Sequence, residues 1–343
     1  MNQSTLPDAI ADLEQLDEVL SRPTEAAARA LAQVEGDILV LGVAGKMGPT
    51  LARMAKRAGP ARHVLGVSRF SDPAVRRALE SQGIETIEGD LLQPGFLDGL
   101  PDAPNVIFMA AMKFGTVGRE PWTWAMNVYL PAMVCRRFAR SRIVAFSTGN
   151  VYPLVPARSA GSVETDPPGP CGEYAMSALG RERIFEYFSR TCNTRMALVR
   201  LNYAVEMRYG VLVDLAQKVA DGQVIDLSMG YVNVIWQGDA AAMALAMLAD
   251  VASPPLCLNV AGPERLGVRA VCERFGQLMG KPVRFTGVES ADALLSNGQA
   301  GWQRYGMPRV DADRLIGWIA HWLTLGGPTL GRPTHFEVRN GNF

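Results

Sequence analysis

An α/β fold built on a doubly wound parallel sheet, with a smaller α/β lobe attached, is what this sequence predicts. Three observations carry the prediction. From residue 37 onward, short apolar runs bounded by glycine alternate with helical stretches. Gly42, Gly45 and Gly48 stand directly between the first apolar run and the helix that follows it. At 343 residues the chain has room for one large α/β domain or two closely joined lobes.

Taken in order, residues 1–36 read as a helical arm lying on the main domain. In "SRPTEAAARALAQV", Thr24 is placed to cap an Ala-rich body. "DILVLGV" (Asp37–Val43) predicts a buried strand and "KMGPTLARMAKRA" a helix. "HVLGVSR" (His63–Arg69) is a second strand, "DPAVRRALESQ" a helix, and "IETIEGD" (Ile84–Asp90) a third strand. "NVIFMAA" (Asn105–Ala111) and "RIVAFST" (Arg142–Thr148) are further strands, separated by a helix through "WTWAMNVYLPAMVCRRFAR". "RMALVRL" (Arg195–Leu201) is the sixth. Such runs imply a parallel sheet covered on both faces, binding its ligand at the carboxyl ends of the strands where strand order reverses. Residues 37–201 therefore form the first domain. Residues 202–343 form a second lobe interleaved with it, in which helices mix with short strands such as "LCLNVAG" and "VRFT". The loop Val151–Gly172 is long and rich in Pro and Gly, and long ordered loops in compact domains are more often functional than idle.

Composition excludes several classes. Formal net charge is zero, so no electrostatic drive toward nucleic acid or an anionic membrane is expected. The five cysteines (135, 171, 192, 257 and 272) are odd in number and show no paired spacing, which points to a reducing compartment. The three histidines, 63, 321 and 335, stand apart from any Cys or carboxylate cluster, so no metal site is expected. "MNQSTLPDAIADLEQLDEVLSR" carries carboxylates where a signal peptide needs positive charge. No apolar run approaches the ~20 residues that span a bilayer. A cytoplasmic protein is the expectation.

In "LVLGVAGKMGPTLA" the first glycine permits a tight turn, the second lets backbone approach a pyrophosphate, and the third lets helix and strand pack closely. The helix N-terminus then faces the negative charge. The spacing Gly-x-x-Gly-x-x-Gly resembles that of extended short-chain dehydrogenase/reductases, of the NAD(P)-dependent epimerase/dehydratase type with a Rossmann domain. "EGDLLQP", "FMAAMKFG", "NVYLPAM" and "CGEYAMSALGRERIFEYFSR" are similar to that family's motifs in register, over roughly residues 37–260. The resemblance places Asp90 and Leu91 at the adenine ring, and Ala110 and Ala111 beside the cofactor. It places Asn127 at a structural and proton-relay position, and Gly42, Gly45, Lys46, Met47, Gly48, Asn127, Tyr174 and Asn202 among the cofactor contacts.

The second strand ends in "GVSRF", with Ser68 and Arg69 and no acid until Asp72. A guanidinium beside a hydroxyl suits the 2′-phosphate of NADP. If Arg69 only stacks on adenine, NAD remains open.

The resemblance makes Tyr174 the acid/base that exchanges a proton as hydride moves. A free phenol has a pKa of ~10, and the family's Lys one helical turn on lowers it and holds the nicotinamide ribose. Here that position is Ala178. Thr148, with Ser147 as the alternate, is the orienting hydroxyl. Gly149 and Asn150 stand where the family's dehydratases carry an Asp and a Glu, so water elimination by that pair is not expected. Arg181 is two turns beyond Tyr174, roughly 10 Å along the axis, which reads as too far for direct contact. Lys113, after the fourth strand, enters the same cleft and is the candidate replacement cation; a solvated loop lysine is the competing reading.

For the substrate, Met112, Asn150, Tyr203, Arg208, Asn233 and Trp236 are the candidate contacts, Trp236 being as readily core as ligand platform. Asp239 reads as a helix cap or first-turn acid, and Arg200 as structural. The polar tail "GGPTLGRPTHFEVRNGNF" closes over the cleft or mediates assembly. The expected activity is hydride transfer at a hydroxyl or ketone carbon of a carbohydrate-like substrate, and the family resemblance implies a homodimer joined through helices 121–140 and 173–190. The competing reading is a redox-silent NADP-binding sensor or scaffold, for which Ala178 speaks.

Overall fold

The computed structural model describes residues 6–341. The arm forms two short helices, α1 (Leu13–Leu20) and α2 (Glu25–Gln33), whose first turns are closed by Asp12 accepting from Gln15 N and Thr24 accepting from Ala27 N. Their apolar faces are buried, and Arg57 ties the arm down by donating to the Glu18 carbonyl at 2.7 Å and to Ser21 Oγ at 2.9 Å.

The alternation predicted from residue 37 is realised as β1 (Ile38–Leu41), α3 (Gly48–Ala58), β2 (Val64–Ser68), α4 (Pro73–Ser81), β3 (Glu85–Glu88) and β4 (Asn105–Phe108). The single helix expected next is split. α5 (Glu120–Trp124) passes through a π-helical turn (Ala125–Tyr129) into α6 (Leu130–Arg137). The wider turn aims Asn127 inward, a frequent use of such insertions. β5 (Arg142–Thr148), the two-residue β6 (Val155–Pro156), α7 (Gly172–Cys192) and β7 (Met196–Leu201) complete this half.

The remainder runs β8 (Ala204–Val205), α8 (Val211–Ala220), β9 (Val224–Asp226), β10 (Tyr231–Val232), β11 (Ile235–Trp236), α9 (Gln237–Ala246) and β12 (Leu256–Val260). β13 (Leu266–Gly267), α10 (Val268–Met279), β14 (Arg284–Thr286), β15 (Asp292–Ala293), α11 (Gln299–Tyr305) and α12 (Ala312–Thr324) follow.

Seven parallel strands form the central sheet in the order β12-β7-β5-β4-β1-β2-β3. β12 corrects the sequence reading, which left "LCLNVAG" in the second lobe. It pairs with β7 from Leu256↔Ala197 to Val260↔Leu201. A short apolar run reveals that it is buried but not which strand it joins. α9 returns with it, packing on the arm and on α3 with every residue buried. Asp239 lies in its first turn and binds Arg309 Nε at 2.6 Å, a structural tie.

The chain leaves β1 toward β2 and β3, then crosses to place β4 on the other side of β1. The crevice between the carboxyl ends of β1 and β4 is therefore the reversal point where such sheets bind ligands. The second lobe has its own core around Leu212, Leu215, Phe275, Trp318 and Trp322. Among the described residues no helix is long and apolar enough to cross a membrane.

Candidate active site

The glycine turn closes one wall of the crevice. Gly42 sits at φ +89°, and a Cβ there would lie 2.8 Å from Ala110 N at the end of β4. A Cβ on Gly48 would lie 2.0 Å from the Val43 carbonyl oxygen, so only glycine lets α3 start this close to β1. Gly45 differs. It is exposed, and an added Cβ would meet only the Gly42 carbonyl, at 3.3 Å, leaving its outer face open to an approaching group. The first turn of α3 has no side-chain cap. Unsatisfied N–H groups at a helix start beside open glycine backbone fit a dinucleotide pyrophosphate. Ser68 and the exposed Arg69 stand at the end of β2, and among the described residues Arg69 makes no ion pair. Asp90 turns the chain after β3 by accepting from Leu92 N at 2.9 Å, and Leu91 is buried.

β5 and α7 bring the two proton-handling candidates together. Thr148 and Tyr174 are each 7% exposed and share a hydrogen bond. Thr148 Oγ1 is held by Asn150, accepting from its N at 3.2 Å and donating to its Oδ1 at 3.0 Å. Successive residues of a strand face opposite sides, so Ser147 cannot serve as the alternate. It donates to Glu182 Oε1 at 2.5 Å, within a buried network in which Glu182 pairs with Arg200 at 2.8 Å and Arg200 donates to the Tyr152 hydroxyl at 2.6 Å. Burial raises the Tyr174 pKa, while the charge of Arg181 and the bond with Thr148 pull it down.

Position 178 cannot supply that charge. Ala178 is fully buried against Val151 and Tyr152. Lys113 does enter the cleft, its Nζ 5.8 Å from the centroid of the Tyr174 ring and 5.1 Å from that of Phe114. Lys46 reaches the same place from the glycine turn, 3.3 Å from the Tyr209 ring centroid and 4.4 Å from that of Phe114. Burial, then the charges of Lys113 and Arg332, lower Lys46 to about 7, with Asp214 opposing. Burial lowers Lys113 to about 8, again opposed by Asp214.

A stability effect follows. Between about pH 7 and the ordinary lysine value, the unfolded chain binds the Lys46 proton and the folded chain releases it, so stability rises with pH over that window. The penalty of the buried ammonium is complete below the window and gone above it. Lys46→Met is expected to raise the melting temperature at about pH 6 and to leave it unchanged near pH 10.5. An equal effect at both pH values would rule out the charge as its cause.

Several expected ligand contacts are committed elsewhere. Asn127 is fully buried. Its amide donates to the Met112 carbonyl and Ser177 Oγ, both at 2.9 Å, and its Oδ1 accepts from Met112 N at 2.9 Å and Arg181 at 2.8 Å. An asparagine has two N–H donors and two lone pairs to offer, so Asn127 braces the β4 end and has no valence left for a cofactor. Asn202, 1% exposed, gives its amide to Asn233, and Asn233 gives its own to the Gly262 and Ser296 carbonyls. Those two asparagines stitch the lobes together instead of facing the cleft. Trp236 is core, edge-on to Trp318 with ring centroids 5.6 Å apart. Arg208 is engaged by Glu206 at 3.0 Å and by Asp17 of the arm at 3.5 Å. Tyr203 packs against the second-lobe core.

Two residues escaped the sequence reading. Arg181, dismissed on helix rise, is 3% exposed and electrostatically engaged with Tyr174. Helical side chains lean toward the N-terminus, so a long one reaches back over the preceding turn. Asp214, at the start of α8, faces both cleft lysines and carried no sequence signal. The tail lies along α8: Thr334 N and Oγ1 donate to Asp214 Oδ2 at 2.7 and 2.5 Å, and the His335 ring stands 6.3 Å from Phe114. It ends against the start of α7, where a Cβ on Gly172 would meet the Gly341 carbonyl at 2.4 Å.

The sequence matches the profile of the NAD dependent epimerase/dehydratase family over residues 38–253. UDP-glucuronic acid 4-epimerase from Bacillus cereus, solved with UDP-glucuronic acid and NAD, is similar in structure at TM-score 0.71 and 16% identity, over 84% of this chain and 99% of that one. A double mutant of the dTDP-glucose 4,6-dehydratase DesIV from Streptomyces venezuelae, with NAD bound, gives 0.72 at 18% identity, over 84% and 96%. The Bordetella bronchiseptica enzyme WbmG, solved with NAD and UDP, gives 0.70 at 20% identity, over 86% and 97%. No curated protein sequence gives a match. At these identities the structural likeness speaks to the fold.

Proposed function

The chain belongs to the NAD dependent epimerase/dehydratase family, and from that premise we propose that it moves hydride between a nicotinamide cofactor and a hydroxyl or ketone carbon of a carbohydrate-like substrate. The observation that carries the reading is the buried Tyr174–Thr148 pair at the carboxyl end of β5, beside the crevice that the glycine turn closes. Gly42, Gly45, Gly48 and the start of α3 would hold the dinucleotide; when bound, its nicotinamide supplies or accepts the hydride. Tyr174 holds its proton at neutral pH because burial raises its pKa, so it is poised to donate to a carbonyl oxygen as hydride arrives. Thr148, fixed by Asn150, orients that oxygen. Met112, Lys113 and Asn150 are the proposed substrate contacts around the phenol. Gly149 and Asn150 offer no acid and base pair, so reduction, oxidation or epimerisation is favoured over water loss.

NADP is the proposed form, on the strength of Ser68 and Arg69 at the end of β2; the NAD-bound structural neighbours support NAD as the alternative. Arg69→Ala is expected to weaken NADPH about tenfold, the value of one charge-assisted phosphate contact, and to leave NADH affinity unchanged. Calorimetric titration with both nucleotides checks it. A homodimer is proposed through α5, α6 and α7, supported by the exposed aromatics Trp122 (59%) on α5, Tyr129 (61%) on the π-helical turn and Tyr187 (60%) on α7. Sedimentation equilibrium is expected to give twice the 37.1 kDa chain mass, and a monomer would remove this proposal.

The test of the function is nucleotide retention followed by turnover. Tightly held cofactor of mixed redox state on the purified protein points to epimerisation, and a protein that must be loaded points to a reductase. Loading with NADPH or NADH and adding a panel of keto sugars and sugar nucleotides should consume reduced cofactor. Binding without turnover across the panel would sink the reading and leave the redox-silent sensor that Ala178 suggests.

A further inference from the structure

We propose that Arg181 is the positioning cation of this site, its buried guanidinium providing for the Tyr174 phenol the positive field that a lysine at position 178 would have provided. The inference rests on the reading of Tyr174 as the proton-transfer group, and three features of the fold carry it.

The first is placement. β4 stops at Phe108, opposite Ala145, whereas β5 continues to Thr148. Arg181 enters the crevice left by that mismatch and donates from Nη1 to the Phe146 carbonyl at 2.7 Å, two residues before the hydroxyl that bonds Tyr174. Its Nη2 donates to Asn127 Oδ1 at 2.8 Å. Asn127 in turn holds Ser177 Oγ, which donates to the Tyr174 carbonyl at 2.9 Å. The guanidinium therefore lies in the angle between the end of β5, the π-helical turn and the first turn of α7.

The second is charge balance. Every hydrogen-bond acceptor of Arg181 is a neutral oxygen. Among the described residues no carboxylate lies within ion-pair distance of it; the adjacent Glu182 favours its charged form from farther off but is committed by hydrogen bonds to Arg200 and Ser147. A buried cation that serves only to brace a fold is normally matched by an anion, because its lost hydration is otherwise uncompensated. Here the field of the guanidinium remains directed at its surroundings, and in a poorly polarisable interior it is only weakly screened. A phenolate at Tyr174 is the anion that this arrangement would stabilise, and Arg181 and Tyr174 each favour the other's charged form.

The third is that the competing cation is drawn elsewhere. Among the described residues, the groups that face Tyr174 are Arg181 from α7, Thr148 from β5, Lys113 from the loop after β4, and Tyr209 from the segment before α8. Lys113 lies 5.8 Å from the ring centroid, and its charge is coupled to Asp214. Arg181 starts three residues beyond Ala178, ~4.5 Å by helix rise, and its longer side chain leans back across that distance.

The experiment is an ultraviolet titration of tyrosinate in the full chain. Subtracting the Tyr174→Phe variant isolates the Tyr174 signal, and circular dichroism establishes that each variant is folded. Arg181→Gln keeps hydrogen-bond donors and removes the charge; it is expected to move the Tyr174 midpoint up by about one pH unit or more, or out of the folded range. Arg181→Lys should hold the midpoint within about half a unit. Lys113→Met should move it less than Arg181→Gln does, and Ala178→Lys added to Arg181→Gln should bring it back. An unmoved midpoint in Arg181→Gln, or equal shifts in the Gln and Lys variants, would overturn the proposal in favour of a purely structural brace. If Arg181→Gln does not fold, Arg181→Lys decides alone, and a shift of a full unit overturns it. The titration needs no turnover. A redox-silent protein would defeat the proposed function while the midpoint still tests Arg181, and an active protein with an unmoved midpoint would defeat only this inference.

Discussion

Tyr174→Phe is expected to lower the rate of hydride transfer by about 10²–10⁴-fold, the usual contribution of a positioned general acid. The ring is 7% exposed and packed, so Phe preserves its shape and removes only the hydroxyl that bonds Thr148. Cofactor affinity should change little, because the proposed phosphate cradle belongs to β1 and α3 and not to α7. Single-turnover consumption of bound NADPH separates the two quantities: the chemical step should fall while the nucleotide dissociation constant holds. Thr148→Val should follow the same pattern, whereas Ser147→Ala should leave the chemical step alone, since that hydroxyl serves Glu182. A Tyr174→Phe protein with an undiminished chemical step would remove the phenol from the mechanism.

Glu182→Ala is expected to carry the largest stability cost, about 3–5 kcal/mol, because it strands a buried guanidinium without its anion. Arg200 is 7% exposed and donates to Glu182 from both Nε and Nη2, and Glu182 also accepts from Ser147. Removing the carboxylate leaves a charge and a serine hydroxyl short of partners between β5, β7 and α7. Ser147→Ala, losing one neutral donor, should cost only about 1 kcal/mol. Denaturant unfolding followed by circular dichroism measures both. A Glu182→Ala loss no larger than that of Ser147→Ala would mean that Arg200 finds another anion or that water reaches it.

β1, β2, β4, β5 and β7 were legible because each is a short apolar run whose neighbours in sequence are turns or helices, whereas the two-residue β6 lies in what reads as a loop. The glycine turn was legible because it needs strand, glycines and helix in immediate succession, and Tyr174 and Thr148 stood out as candidates because each sits in a motif of adjacent residues. Trp236, Asn233 and Asn127 were not legible in this way. Their residue types suit a binding site and a buried brace equally, and what separates the two is whether the amide valences are already filled. Arg208 was misread for the same reason, its partners Glu206 and Asp17 lying near and far in sequence.

What the sequence determined by itself is the α/β alternation and the glycine turn between β1 and α3, both encoded within a few consecutive residues. The tertiary structure alone decided that β12 closes the sheet, that the tail lies along α8, and that Arg181 stands beside Tyr174 where Ala178 leaves no charge. These depend on which distant surfaces meet, and on how far a side chain leans from its backbone position. Neither quantity has a local sequence pattern, since both are set by packing between elements separated by tens to hundreds of residues.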